Sequence, residues 1–249
     1  PYPKLEMPGM VSGASGPDQS RLRREENYLR EHYPNMEYFK SCRIVQRDVQ
    51  LKIPRPRDVL ARKGKRRIHM DVSNLNDGQT GSIVFDLLPE ATPRGVARLK
   101  ELIEANFFDE AAFFRVGENF VAQFGMHADP NVNSQWRKMK IPDDPKSSVS
   151  NLAGTMSFAH SGPNSRTTQL FINLVDNSFL DEQGFSPVAQ LVSGWEYVKA
   201  IYAGYGAEEG NGDGTDGKGP RQARIAKQGN AYLNAHFPKL SRITSIRFE

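Results

Sequence analysis

The stretch GTMSFAHSGPNSRTTQLFINL, residues 154–174, is the most informative part of the sequence about the fold. It contains two runs typical of short strands, residues 154–159 and 169–173, which flank a segment rich in turn-forming residues. Gly162, Pro163 and Asn164 are residue types that favour a chain reversal between strands. The stretch therefore predicts two short strands of a β-rich domain, with a turn that shapes the surface beside them.

Further strand patterns lie on both sides of this stretch. The runs RIHMDVSNL and GSIVFDLL are separated by the turn signal Asn76-Asp77-Gly78. Shorter candidates lie at residues 112–116, 119–124, 188–192 and 242–248. Many short strands with Gly, Pro and Asn turns predict a closed or nearly closed antiparallel barrel.

Two isolated helices interrupt the strand candidates. In the first, Thr92 is a plausible N-cap and Pro93 suits the first helical position. Its spacing of apolar residues predicts one buried face, made of Val96, Leu99, Leu102 and Ile103. The second helix candidate covers residues 194–202.

Composition excludes several classes of protein. The chain has 249 residues, 38% hydrophobic and 25% charged, and no apolar run approaches the roughly 18 residues that span a bilayer. We therefore expect a folded domain without a transmembrane segment. The single cysteine, Cys42, excludes an intrachain disulfide framework and a multi-cysteine zinc site.

Two parts of the chain differ in net charge and are predicted to be separate domains. Residues 1–67 carry sixteen Lys and Arg against eight Asp and Glu, whereas residues 68–249 have a net charge of −4. We therefore predict a basic, partly helical arm over 1–67 and a barrel domain with a C-terminal extension over 68–249. The arm lacks a recognisable nucleic-acid-reading module, so we expect no nucleic acid partner. Its Arg-rich start suits an organelle protein, mitochondrial or plastid, after removal of a targeting segment; the cytoplasm is the alternative.

Several common site motifs are incomplete or absent in this sequence. The segment GAEEGNGDGTDGKGP, residues 206–220, matches phosphate-binding glycine patterns by letters, but it lacks the required strand before and helix after. We interpret it as a loop. The five histidines are scattered without metal-ligand spacing, and no G-x-S-x-G elbow exists. The sequence therefore predicts neither metal-dependent nor triad hydrolysis.

Two further segments carry recognisable motifs: FFRVGENFVAQFG (113–125), before the first stretch, and residues 177–206, after it. Together they resemble the cyclophilins, the peptidyl-prolyl cis-trans isomerases, over roughly residues 68–206. The tail to residue 249 is similar to a branch of that family common in bacteria. The resemblance implies a mainly β fold, an eight-stranded antiparallel β-barrel capped by two α-helices, with an active groove on its outer face.

The resemblance also implies site residues. Arg115 matches the catalytic arginine, and Gln169 matches a groove glutamine. Ala159 and His160 match a pair whose backbone groups hold the substrate chain. The walls and floor of the proline pocket match Phe120, Val121, Gln123, Phe171 and Leu180. No cofactor or metal is implied.

Elementary chemistry explains why an arginine suits this role. Rotation about an X-Pro bond breaks amide resonance, a barrier of about 18–20 kcal/mol. In the twisted transition state the prolyl nitrogen regains a lone pair, to which a fixed guanidinium can donate. Arginine keeps its proton under all physiological conditions.

Two functions remain open from the sequence. The first is an isomerase that acts on proline-containing protein or peptide clients during folding. The second is a cyclophilin-like accessory subunit of a larger protein assembly, attached through residues 1–67, with weak or no activity. The two use different surfaces and can coexist.

Overall fold

The computed structural model describes residues 66–249. The basic arm predicted for residues 1–67 lies outside them, except that Arg67 already begins the first strand. The strands are β1 (Arg67–Ser73), β2 (Gly81–Leu87), β3 (Arg115–Val116), β4 (Val121–Phe124), β5 (Thr155–Phe158), β6 (Leu170–Asn173), β7 (Pro187–Ser193) and β8 (Arg242–Phe248). The α-helices are α1 (Pro93–Glu104), α2 (Pro130–Trp136), α3 (Trp195–Lys199) and α4 (Gln222–His236), and short 3-10 turns cover Asn76–Gly78 and Ser178–Leu180.

All eight strands form one antiparallel sheet in the order β3-β4-β6-β5-β7-β2-β1-β8. The sheet curves into a half-barrel. A bridge between Ala112 and Arg242 joins the chain just before β3 to β8, and the N–H of Phe113 donates to the carbonyl of Ser241 beside it. The eight-stranded antiparallel architecture predicted from the sequence is confirmed.

The core lies inside the curve of the sheet because the strands alternate in polarity. In β1, Ile68, Met70 and Val72 are buried, while the residues between them are only partly covered. Burial of each such side chain contributes about 1.5–3 kcal/mol. The predicted apolar face of α1 is confirmed, since all four of its residues are buried against this core.

The start of α1 lies at the predicted place, but a different side chain caps it. Thr92 is at the N-cap position and makes no capping hydrogen bond, because its hydroxyl donates to the carbonyl of Pro187 at 3.0 Å. The carboxylate of Asp144 accepts instead from the N–H groups of Arg94 and Gly95. The cap is therefore supplied from 50 residues away.

Two helices, α2 and α4, were not predicted. They pack against each other, and the chain bends within α4 at Gly229, where φ is +56°. The N–H of Asn230 donates to the carbonyl of Ala128, just before α2, at 2.9 Å. Around α4 lies a second buried cluster, separate from the core inside the sheet: Ala112, Phe114, Met126, Ile225, Tyr232, Leu233, Phe237 and Leu240. Across residues 66–249, every helix is too short or too polar to cross a membrane.

Candidate functional site

Arg115 and Gln123 lie directly opposite each other on β3 and β4. Residues paired in this way project from the same face of the sheet. Nη1 of Arg115 donates to Oε1 of Gln123 at 3.2 Å, and Nε donates to the backbone carbonyl of Ala207 at 2.9 Å. Within residues 66–249 the guanidinium forms no ion pair, and Nη2 has no hydrogen-bond partner. The half-buried cation is thus held only by neutral acceptors, with one donor nitrogen free.

A second hydrogen bond extends this line of polar groups. Nε2 of Gln123 donates to Oε1 of Gln169 at 2.7 Å. Because arginine is a donor only, the bond from Arg115 fixes which end of the Gln123 amide is the oxygen. Gln123 is only 8% exposed, so both of its bonds are shielded from water. The predicted catalytic arginine and both predicted glutamines therefore form one connected chain.

An apolar cluster lies on the same outer face. Gln123 pairs with Phe171 across β4 and β6, so the row that begins at Arg115 reaches an aromatic ring on the third strand. Phe171 packs with Val121 and Leu180, and all three are at most 5% exposed. Their neighbours in sequence, such as Ala122 and Ile172, point into the core instead. The row therefore lies on the outside of the barrel, where a ligand could reach its edge.

Phe120 forms the side of this apolar cluster nearest to the guanidinium. Cζ of Arg115 lies 5.6 Å from the centre of the Phe120 ring, a distance at which cation and ring attract each other. Phe120 also stacks on Phe179, with ring centres 6.2 Å apart. Phe179 is 56% exposed and so forms the outer rim. Phe124, by contrast, is fully buried in the core and does not border the groove.

The backbone at Ala159 and His160 borders the cluster. The N–H of Ala159 donates to the carbonyl of Gln169 at 2.9 Å, so this donor is already used by the sheet. The Ala159 carbonyl and the His160 N–H have no backbone partner among the described residues. If this pair holds a substrate chain, as predicted, only the Ala159 carbonyl and the His160 N–H are available to bond with it.

The His160 imidazole is held by a hydrogen bond and by ring stacking. Its Nδ1 accepts from the N–H of Gly162 at 3.2 Å, and its ring stacks on Phe185 with centres 4.0 Å apart. Burial lowers the pKa of His160 below its ordinary value, so the ring is neutral at pH 7. Nε2 is buried and finds no partner within residues 66–249. With Nδ1 engaged by Gly162 and Nε2 buried, the ring offers no open nitrogen to a bound substrate.

The sequence failed to identify two contributors to the site. Phe185 contacts Phe171 at 5.6 Å between ring centres and completes the cluster beside His160. Ala207 contributes its backbone carbonyl to Arg115 from the segment between α3 and α4. An aromatic residue within the matched segment 177–206 was a usable signal for Phe185. No side-chain signal exists for a backbone carbonyl.

A hollow of about 570 Å³ adjoins the groove. Four of the predicted site residues border it: Gln123, Ala159, His160 and Gln169. Its opposite wall comes from the segment around the end of α2, with Arg137 and Lys140, and from the first turn of α4, with Gln222 and Ala223. The groove is therefore longer than the apolar cluster alone.

Comparison with known proteins agrees with this geometry. The family model for cyclophilin type peptidyl-prolyl cis-trans isomerases matches residues 69–227. A probable peptidyl-prolyl cis-trans isomerase of Brucella suis biovar 1 (strain 1330) is 32% identical over 140 residues, 52% of this chain and 71% of the relative. Peptidyl-prolyl cis-trans isomerase B of Escherichia coli (strain K12) is 30% identical over 118 residues, 47% of this chain and 68% of the relative.

Solved structures agree in fold. A crystal structure of a cyclophilin type peptidyl-prolyl cis-trans isomerase from Cryptosporidium parvum has a TM-score of 0.51 at 15% identity and covers 75% of this chain and 98% of its own. The same parasite protein in the presence of the dipeptide Ala-Pro gives a TM-score of 0.50. The family match, the curated relatives and the eight-stranded antiparallel fold lead to one conclusion: this chain belongs to the cyclophilin type peptidyl-prolyl cis-trans isomerases.

Proposed function

We propose that the protein isomerises X-Pro bonds of peptide and protein clients, with Arg115 as the catalytic residue. The proline ring would lie on the apolar cluster, and the guanidinium would donate to the prolyl nitrogen once the amide twists. That hydrogen bond is unavailable in the planar ground state, so it lowers the barrier selectively. The reaction makes no covalent intermediate and needs no metal.

The observation that carries the proposal is the set of partners around the guanidinium. A carboxylate beside Arg115 would neutralise the charge of the guanidinium. Both hydrogen bonds that the guanidinium donates go instead to neutral oxygens, on Ala207 and Gln123. Two neutral acceptors orient the plane of the group while leaving the charge uncompensated. A fixed donor of this kind needs no reorganisation at the moment of reaction.

The other site residues would hold the substrate around this donor. Phe120, Val121, Phe171 and Leu180 supply a surface for the ring, and exclusion of water there strengthens the donor's effect. Gln123 could bind the carbonyl that swings as the amide turns. The free carbonyl of Ala159 and the free N–H of His160 could pair with the substrate backbone, and Gln169 would position Gln123.

The relatives support this choice of substrate. Those cited above are named as peptidyl-prolyl cis-trans isomerases, and a structural neighbour was solved in the presence of Ala-Pro. By analogy, proline-containing peptides are the substrate class we assign here. No observation on residues 66–249 favours the accessory-subunit alternative more strongly.

The test is Arg115→Ala, assayed by the exchange of cis and trans isomers of a proline peptide. Loss of a donor aimed at the transition state should reduce kcat/KM by about 10²–10³-fold. Arg247→Ala is the matched control, because it removes an arginine from β8, where the side chain pairs with Asp71 instead of lining the groove. Full activity of Arg115→Ala would contradict the proposal.

A further inference from the structure

The residues that border the hollow beside the groove include positively charged side chains but no negatively charged ones. Of the residues that border it, Arg137 and Lys140 are cations, and none is an aspartate or glutamate. Neither cation forms an ion pair within the part of the chain that is described, residues 66–249. Both side chains are exposed, so their charges remain hydrated and available to a ligand. The hollow therefore favours a negatively charged group.

Polar groups without partners accompany the two cations. The half-buried side chain of Gln222, at the start of α4, makes no hydrogen bond within residues 66–249, whereas its backbone N–H is already taken by Glu209. The Gln222 amide can donate to an oxygen. Cations and an amide donor facing one space are suited to a carboxylate or a phosphate.

The hollow is continuous with the proposed proline site. Gln123 and Gln169 border it on one side, and Gln123 bonds to Arg115 on the other. A peptide whose proline lay on the apolar cluster would therefore place a neighbouring side chain over the hollow. Part of the opposite wall belongs to α4, a helix that continues past residue 227, where the family match ends.

We propose that this hollow is an anionic subsite that selects clients with a carboxylate or phosphorylated side chain close to the proline. The proposal rests on the isomerase function above and narrows its substrate class. Arg137 and Lys140 would supply the attraction, and Gln222 would add a hydrogen bond. Exposed ion pairs are weak singly, so the selectivity comes from two cations acting on one anion.

The experiment uses peptides that carry Glu, Gln, phosphoserine or Ser at successive positions on each side of one proline. The rate of isomer exchange and the binding affinity are both measured for the full chain. We expect Glu to exceed Gln by about threefold or more at one position, and the advantage to shrink as salt is added. Phosphoserine at that position should do better still, because its charge approaches about −2.

Variants identify the source of the preference. In Arg137→Gln/Lys140→Gln the ratio of Glu to Gln peptide should fall to about one, by the same electrostatic reasoning. Lys138→Gln/Lys199→Gln is the matched control, since it removes two exposed lysines that do not border the hollow. The control should keep the preference of the wild-type protein.

The possible results separate this proposal from the isomerase function. Equal values for Glu and Gln together with equal values for phosphoserine and Ser at every position, or a preference that survives Arg137→Gln/Lys140→Gln, would overturn the anionic subsite. Exchange of the neutral Gln peptide reports the isomerase function by itself. If no peptide were isomerised, the affinities would still decide whether the hollow binds anions. A preference for phosphoserine without one for Glu would identify phosphate as the ligand.

Discussion

The backbone carbonyl of Ala207 accepts a hydrogen bond from Nε of Arg115, 92 positions earlier in the chain. Ala207 belongs to the segment between α3 and α4, and the carbonyl of the preceding Gly206 accepts from the N–H of Val116 on the same strand. This segment therefore holds the strand and the side chain of the proposed catalytic arginine together. We therefore expect the conformation of this segment to affect activity.

Gly206→Ala should reduce activity by more than its loss of stability explains. Gly206 has φ of +68° with open space where a Cβ would project, so the cost is backbone strain of about 1 kcal/mol. Relief of that strain would shift the adjoining Ala207 carbonyl and reduce kcat/KM by about tenfold.

Gly217→Ala is the control for this change, because its φ is +73°, its Cβ position is equally open, and it makes no contact with Arg115. It should lose similar stability and keep its rate. Equal rates for the two variants, at equal stability, would remove the proposed role of the segment.

Gln123→Leu should reduce activity without unfolding the protein. The substitution removes one acceptor from Arg115 and leaves Oε1 of Gln169 without its donor. We expect a loss of about 1–3 kcal/mol in the free energy of unfolding and a fall of about tenfold or more in kcat/KM. Urea unfolding and isomer exchange on the same samples separate the two effects. An unchanged rate would show that Gln123 neither orients Arg115 nor binds the substrate.

Gly229→Ala should be strongly destabilising. A Cβ at this bend in α4 would lie 2.0 Å from the backbone oxygen of Ala128, and φ of +56° adds strain. Because displacing the Ala128 backbone is energetically costly, we expect a loss of about 3 kcal/mol or more in the free energy of unfolding. Gly217→Ala again serves as the comparison. A small loss at Gly229, similar to that at Gly217, would show that α2 and α4 do not pack as described.

Stability should fall as the pH is lowered below neutrality. Burial lowers the pKa of both His127 and His160, so the unfolded chain binds protons at a higher pH than the folded protein does. Their contribution is present above the ordinary histidine pKa of about 6.5 and is lost as the pH falls below it. Urea unfolding at pH 7.5 and 5.0 measures the effect. His160→Asn should have a smaller difference between the two pH values; an identical difference would contradict the assignment.

Strands were predicted well wherever hydrophobic alternation was local. Residues 242–248 became β8 with the same bounds, whereas the candidate at 112–116 shortened to Arg115–Val116, because its Phe side chains fill the two clusters instead of extending a ladder. The helix α4 was overlooked since Gly229 interrupts its pattern with a bend that only its contact with Ala128 explains.

The predicted site residues do come together, around Arg115 and the cluster beside Phe171. The role of each remains a prediction, as does the basic arm over residues 1–67. The Ala207 carbonyl could not be predicted, because any residue supplies one. The lining of the hollow could not be predicted either, because Lys140 and Gln222 are far apart in sequence and border one space only after α2 and α4 have packed together.

The proposed function requires that Arg115 acts on the twisted amide and not on the bound ground state. Isomer exchange and peptide binding measured together for wild type, Arg115→Ala and Arg115→Lys test it most directly. We expect Arg115→Ala to bind the proline peptide with nearly wild-type affinity while kcat falls by about 10²–10³-fold, and Arg115→Lys to recover little of the lost kcat. A weaker affinity with an unchanged kcat would contradict it.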